Sequence, residues 1–252
     1  MTASFRSRLL AGEVMIGASV TLNSLETAEA LAHSGLDWLF IDLEHSPLGI
    51  PQAQNILQAV GSHAAGVLRL PLNDEIWIKK ALDTGCAGII IPQVNSKAEA
   101  ERAVRWSKYP PVGTRSLGLA RAHGYGLNAA EYIQHANEAC AVIVQIEHIR
   151  AVENVEEIIS VPGVDGVFVG PWDLSASLGK PGQVEDAEVL AAIERVRAAC
   201  QQRGMPLSVF ANGVESARRY IAQGFTLIAN GMDIWLMAEA SQNMVRGIRR
   251  AQ

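Results

Sequence analysis

Apolar residues in this chain fall into short runs separated by longer stretches in which they recur every three or four positions. The short runs, at residues 13–20, 37–43, 66–70, 87–92, 141–147, 166–169, 206–210 and 225–229, predict eight strands. Several are apolar on both faces, as in Ile89-Ile90-Ile91 and Val142-Ile143-Val144. That is the pattern of a parallel strand covered on both sides. Helices are predicted over 24–34, 74–85, 96–108, 151–160, 186–203, 214–223 and 235–250. Their ends carry the expected signals: Ser24 and Asp74 as N-caps, Ser96 with Glu99 three residues on, and Gly85, Gly204 and Gly224 as terminators.

Eight strand–helix units over 252 residues, with no Gly-rich dinucleotide turn after the first strand, predict a (β/α)8 TIM barrel in preference to a doubly wound sheet. The barrel takes up residues 1–252 as a single α/β domain. The longest irregular stretch, 109–128, contains Pro110, Pro111 and four glycines, and loops of that length are usually functional.

Composition removes several alternatives. Apolar residues make up 49 % and charged residues 19 %, enough for a large core. A net charge of −5 argues against nucleic acid or an anionic membrane as partner. Cys86, Cys140 and Cys200 are odd in number and widely spaced, so buried reduced thiols are expected. No signal core follows Arg6 and Arg8, and no apolar run nears the ~20 residues of a membrane span, which makes the cytoplasm the expected location.

Polarity appears where strands end, and in a barrel of this kind that is where chemistry sits. Asp42, Glu44 and His45 follow the second strand, Arg69 the third, Gln145 and Glu147 the fifth, and Asp173 the sixth. Glu147 and Asp173 on neighbouring exits would repel unless a cation lies between them, and two carboxylates suit Mg2+ or Mn2+. The competing local reading pairs Glu147 with Arg150 and makes Asp173 a helix cap. Gln145 lies two residues before Glu147 and so shares its direction, offering a neutral amide to a ligand oxygen. His45 has Asp42 and Glu44 beside it; a histidine can serve as a base near neutral pH, and a carboxylate would orient it. The Arg69 fork fits a carboxylate or an enolate oxygen, or else an ion pair with Asp42 or Glu44. None of Lys79, Lys80, Lys97, Lys108 and Lys180 lies in a predicted strand, so a Schiff-base mechanism lacks its lysine.

The segments Asp42-Leu43-Glu44-His45-Ser46-Pro47, Arg69-Leu70-Pro71, Tyr109-Pro110-Pro111-Val112-Gly113-Thr114-Arg115, Gln145-Ile146-Glu147 and Gly170-Pro171-Trp172-Asp173-Leu174-Ser175 together resemble the HpcH/HpaI aldolase family, in order along nearly the whole chain. Within that family the segments resemble those of 4-hydroxy-2-oxoheptanedioate and 2-keto-3-deoxyglucarate aldolases. It implies a class II pyruvate aldolase, a lyase that joins pyruvate to an aldehyde, with Mg2+, Mn2+ or Co2+ on Glu147 and Asp173 and no nucleotide cofactor. It further implies that Arg69 and Gln145 contact pyruvate or its enolate, and that the backbone amides of Trp172 and Asp173 hold the substrate carboxylate. His45 is implied as the base, partnered by Asp42 or Asp83, with Asp83 reaching a neighbouring subunit's site. The implied assembly is a hexamer of dimers that exchange the last helix, 235–250. The chain departs from the pattern in three places: Ser19 where many members carry Trp, Trp172 where many carry a small residue, and Ser116 after Arg115. An aromatic lost from one wall and gained on another would keep the pocket apolar. Two rival functions are a CoA-ester lyase of the citramalyl or malyl type, with Arg115 and Arg121 as the candidate CoA cations, and a non-catalytic barrel that binds a dicarboxylate.

Overall fold

A computed structural model describes residues 3–250. Eight parallel strands close a barrel in sequential order: β1 (Met15–Val20), β2 (Trp38–Asp42), β3 (Ala65–Arg69), β4 (Gly88–Ile91), β5 (Ala141–Ile146), β6 (Gly166–Val169), β7 (Leu207–Ala211) and β8 (Leu227–Met232). The expected fold and each expected strand are present, with ends shifted by up to three residues. Helices on the outside cover an apolar layer built from the outward residues of every strand, such as Ile41, Leu68, Ile89, Val142, Val144 and Val209.

The inward residues make a second, smaller core. Trp38, Phe40 and Phe168 pack in series, with ring centroids 6.0 Å and 5.3 Å apart. Truncating one such buried ring to alanine costs about 3–5 kcal/mol. Gly17 is obligatory here, since a Cβ on it would lie 2.5 Å from the Trp38 carbonyl oxygen. The helix Phe5–Leu10, unforeseen in the sequence, places Phe5 against Trp38 at 6.3 Å and plugs the N-terminal end of the barrel.

Alternation along each strand carries the inward column from core to mouth. Trp38 and Phe40 lead to Asp42, Val67 leads to Arg69, and Ala141 and Ile143 lead to Gln145 and Glu147. Each of these four polar residues continues a column of apolar residues below it.

Helix ends differ from expectation for local reasons. The helix expected over 151–160 is two short ones, Ile149–Glu153 and Val155–Ile158. Asn154 interrupts them and donates its side-chain amide to the Asn95 carbonyl at 2.9 Å. Helices Ile50–Val60 and Ala129–Ala139 were not foreseen, and the helix after β6 runs over Pro171–Ser177 with Gly170, not Asp173, at its N-cap; Ile50–Val60 and Pro171–Ser177 begin with Pro in the first turn, where it is tolerated. The last helix starts at Asp233, not Trp235. The Asp233 carboxylate is buried and accepts from the Thr21 and Leu22 amides at 2.8 and 2.9 Å, tying the helix to the end of β1. Beyond that anchor the helix is exposed, including Met237, Met244 and Ile248. The three cysteines are free and buried.

The 109–128 stretch lies at the end of the barrel opposite the mouth. It holds a short 3-10 segment, Arg121–Gly126, which lines a cavity with Gly85, Cys86 and Cys140 at the starts of β4 and β5. Its length therefore does not place it at the chemistry of its own chain.

Candidate active site

A cavity of about 290 Å³ opens at the C-terminal end of the barrel, where Asp42, His45, Arg69, Gly170, Trp172 and Asp173 all line it. Arg69 is the rigid centre. Its Nε and Nη2 donate to the two oxygens of Asp42 at 2.9 and 2.6 Å, its Nη1 lies 3.2 Å from Glu44, and its plane covers Phe40 at 5.0 Å. The local ion-pair reading of Arg69 is thus realised. It does not exhaust the group, because a guanidinium has five N–H donors and only two are spent in hydrogen bonds here. Burial works to raise the Asp42 pKa, but the Arg69 fork and the amides of Glu44 and His45 outweigh it and hold Asp42 below the usual carboxylate range.

Glu44 has the opposite balance. Burial, together with Glu147, Asp42 and Asp173 nearby, pushes its carboxyl up to about 8 despite Arg69. One of its oxygens is buried without a hydrogen-bond donor. Glu44 belongs to the site, although the sequence offered it only as a neighbour of His45 and an alternative partner of Arg69. The two-residue spacing from Asp42 was the available signal.

The His45 ring is 59 % exposed, and its Nε2 stands 3.8 Å from Glu44. Asp42 accepts only the backbone amide of His45, at 3.3 Å. Asp83 ends the helix Glu75–Asp83, which runs away from the mouth, and it pairs with the buried Arg115 at 2.8 Å. Within one chain neither carboxylate touches the imidazole, and Asp83 is not brought together with the rest of the site.

Glu147 is held from both sides. One oxygen accepts the Gln93 amide at 2.8 Å, and the other accepts the Gln145 side-chain amide. Gln93 adopts a left-handed backbone, φ 54°, to aim that amide; such a conformation costs about 1–3 kcal/mol in a non-glycine residue. No ion pair joins Glu147 to Arg150 among the described residues; Arg150 instead donates its amide to His148 at the start of its helix. Burial raises the Glu147 pKa and Asp173 adds to the effect, against Gln145, Gln93 and Arg69. Gly170 makes this approach possible: a Cβ there would sit 3.1 Å from the Glu147 Cβ and 3.5 Å from Gln145 Nε2.

Asp173 is the third residue of the helix Pro171–Ser177 and faces the cavity. The amides of Trp172 and Asp173 lie in the first turn of that helix, where no intrahelical acceptor exists.

The donor set fits a hard divalent cation. The two carboxylates supply oxygen ligands with spare lone pairs, and the buried Gln145 Oε1 lacks any partner. Among the described residues no group of three or more His, Cys, Asp or Glu is arranged to hold a metal ion, so these two carboxylates do not complete a coordination sphere by themselves. Lys108 is the buried lysine, and its ammonium donates to the Asn137 carbonyl at 2.6 Å, away from the cavity.

Comparison with known proteins identifies the family. Residues 16–240 match the family model described as HpcH/HpaI aldolase/citrate lyase. The chain is 38 % identical to a hydroxypyruvate/pyruvate aldolase of Paraburkholderia phytofirmans, covering 98 % of each chain. It is 39 % identical to a 4-hydroxy-2-oxo-heptane-1,7-dioate aldolase of Escherichia coli, covering 96 % of this chain and 93 % of that one. A crystal structure of a HpcH/HpaI aldolase/citrate lyase family protein from Burkholderia cenocepacia superposes with a TM-score of 0.95 at 37 % identity, over 98 % of this chain and all of that one. The chain belongs to the HpcH/HpaI aldolase/citrate lyase family and is a lyase.

Proposed function

We propose that this lyase is a divalent-metal-dependent class II aldolase that reversibly adds pyruvate, at its methyl carbon, to an aldehyde. The observation that carries this reading is the charge imbalance at the mouth. Four carboxylates, Asp42, Glu44, Glu147 and Asp173, face one guanidinium, and two of them are driven above their ordinary pKa. Mg2+, Mn2+ or Co2+ held by Glu147 and Asp173 would relieve that imbalance and act as the Lewis acid toward the 2-oxoacid.

The chain's own groups supply the rest. The Trp172 and Asp173 amides receive the substrate carboxylate, an arrangement that favours anions at a helix start. Arg69, locked by Asp42, presents its remaining N–H groups to the oxygen that gains charge as the methyl proton leaves. Because the guanidinium is already fixed, little reorganisation is needed. Gln145 holds Glu147 in place, and its own amide oxygen is left without a partner. His45, wet and beside Glu44, takes the methyl proton in the addition direction and the 4-hydroxyl proton in cleavage. The exposed apolar face of the last helix supports an assembly that exchanges it, with Asp83 serving a neighbouring subunit.

The CoA-ester lyase reading is weakened, because Arg115 is buried against Asp83 and Arg121 donates to the Thr84 carbonyl, both away from the mouth. A barrel that only binds a dicarboxylate would keep its ligand after chelation. Exchange of pyruvate methyl protons in deuterated water decides the matter. The aldolase exchanges them, EDTA stops the exchange, and Mg2+ or Mn2+ restores it; exchange that ignores chelation, or none with metal present, overturns the proposal.

A further inference from the structure

The cavity is asymmetric around the barrel. Its charged groups, Asp42, Arg69 and Asp173, come from β2, β3 and the turn after β6, whereas β7, β8 and the start of the last helix contribute Phe210, Met232 and Trp235. Trp172 closes the rim beside them, resting on the turn at Gly182, where a Cβ would lie 3.4 Å from the indole. Phe210 and Trp235 meet edge to face at 6.5 Å. Trp172 and Trp235 are 51 % and 43 % exposed, so each has apolar surface left for a ligand to cover.

Resting on the aldolase reading, we propose that this aromatic wall seats the side chain of the acceptor aldehyde and selects uncharged, apolar aldehydes over those that carry a second carboxylate. The charge count gives the reason. Arg69 is the one permanent cation among the described residues lining the cavity, and each of its three nitrogens already faces a carboxylate oxygen, at 2.9, 2.6 and 3.2 Å. Pyruvate brings its own carboxylate, whose place is at the Trp172 and Asp173 amides. A second carboxylate on the acceptor would shed its water among Phe210, Met232 and Trp235 and meet no free cation. A branched alkyl group would instead cover indole and methionine surface that is otherwise wet.

The test compares two acceptors matched in non-hydrogen atoms, 4-methylpentanal and 4-oxobutanoate, in competition on the Mn2+-loaded, full-length oligomer with pyruvate. Pyruvate methyl exchange is followed in the same samples. The neutral aldehyde is expected to lead in kcat/KM by about tenfold or more, the scale on which pockets discriminate such groups. Trp235→Arg puts a cation into the wall on an exposed helical position and should move the ratio toward the acid by about tenfold, mostly through KM for 4-oxobutanoate. Trp172→Ala, at the rim, should raise KM for 4-methylpentanal by a larger factor than KM for 4-oxobutanoate. Normal exchange with equal use of both aldehydes, or preference for the acid, overturns the selectivity alone. No exchange and no product from either aldehyde overturns the aldolase reading and this inference together.

Discussion

Replacing Gly170 with alanine adds one methyl group and removes no chemical function. The backbone there, φ −101° and ψ 88°, is open to any L residue, so the effect is steric alone. The new Cβ would stand 3.1 Å from the Glu147 Cβ, whereas unstrained carbon contacts lie at about 3.5–4.0 Å. Glu147 must therefore retreat by roughly half an ångström, dragging the hydrogen bonds from Gln145 and Gln93 with it. Disturbing what holds a metal ligand costs about 10–100-fold in metal affinity or activity, and about 1 Å of misplacement can cost 10²-fold in rate. We expect roughly tenfold weaker activation by Mn2+ and a comparable loss of turnover. Overpacking should cost about 1–3 kcal/mol, a fall of roughly 2–10 °C in Tm. The assay is the Mn2+ dependence of pyruvate exchange, with circular dichroism to verify folding. A folded Gly170→Ala protein with wild-type Mn2+ activation would refute the claim that Glu147 is held in place for the ion.

Four further outcomes follow from the geometry. His45→Ala should lower turnover by about 10²–10⁴-fold while leaving Mn2+ affinity within a factor of two or so, and a large loss of affinity would refute its role as base. Glu44, at about 8 in the folded protein, holds its proton across a range where the unfolded chain has released it. The stability of the EDTA-treated protein should therefore fall as pH rises from about 4.5 to about 8, and Glu44→Gln should flatten that part of the denaturant-midpoint profile. Asp42→Asn strips the buried Arg69 of its charged partner and should cost about 3–5 kcal/mol in urea unfolding, with loss of exchange activity. Asp233→Ala frees the Thr21 and Leu22 amides and should speed hydrogen exchange at the start of the last helix while the amides of β4 and β5 stay protected.

The barrel was legible because each strand is a short apolar run with its polarity at one end. Position at the strand exits placed Asp42, Arg69, Gln145 and Glu147 at the mouth, and the two-residue spacing gave Gln145 and Glu147 a common direction. Asp173 came from the turn after β6, and the absence of a strand lysine steered the chemistry. What stayed hidden depends on contacts distant in sequence. Nothing near Gln93 announces that its strained backbone delivers an amide to Glu147, 54 residues away. Glu44 reads only as a partner for His45 or Arg69 until burial among Arg69, Glu147 and Asp173 shows how far its carboxyl is displaced. The wall of Phe210, Met232 and Trp235 forms only when β7 and β8 close the barrel. Phe5–Leu10 is too short for a periodic signal, yet it caps the inner core. The 109–128 stretch lies away from the mouth of its own barrel, and loop length says nothing about which end of a barrel a loop occupies.

The account rests on one cation shared by Glu147 and Asp173. Titration of the metal-free protein with Mn2+, followed by the loss of the free-ion paramagnetic resonance signal, tests it directly. One site per chain is expected in the wild type, weakened by about 100-fold or more in both Glu147→Gln and Asp173→Asn while His45→Ala keeps it. Equal Mn2+ binding by wild type and by either carboxylate variant would contradict the account.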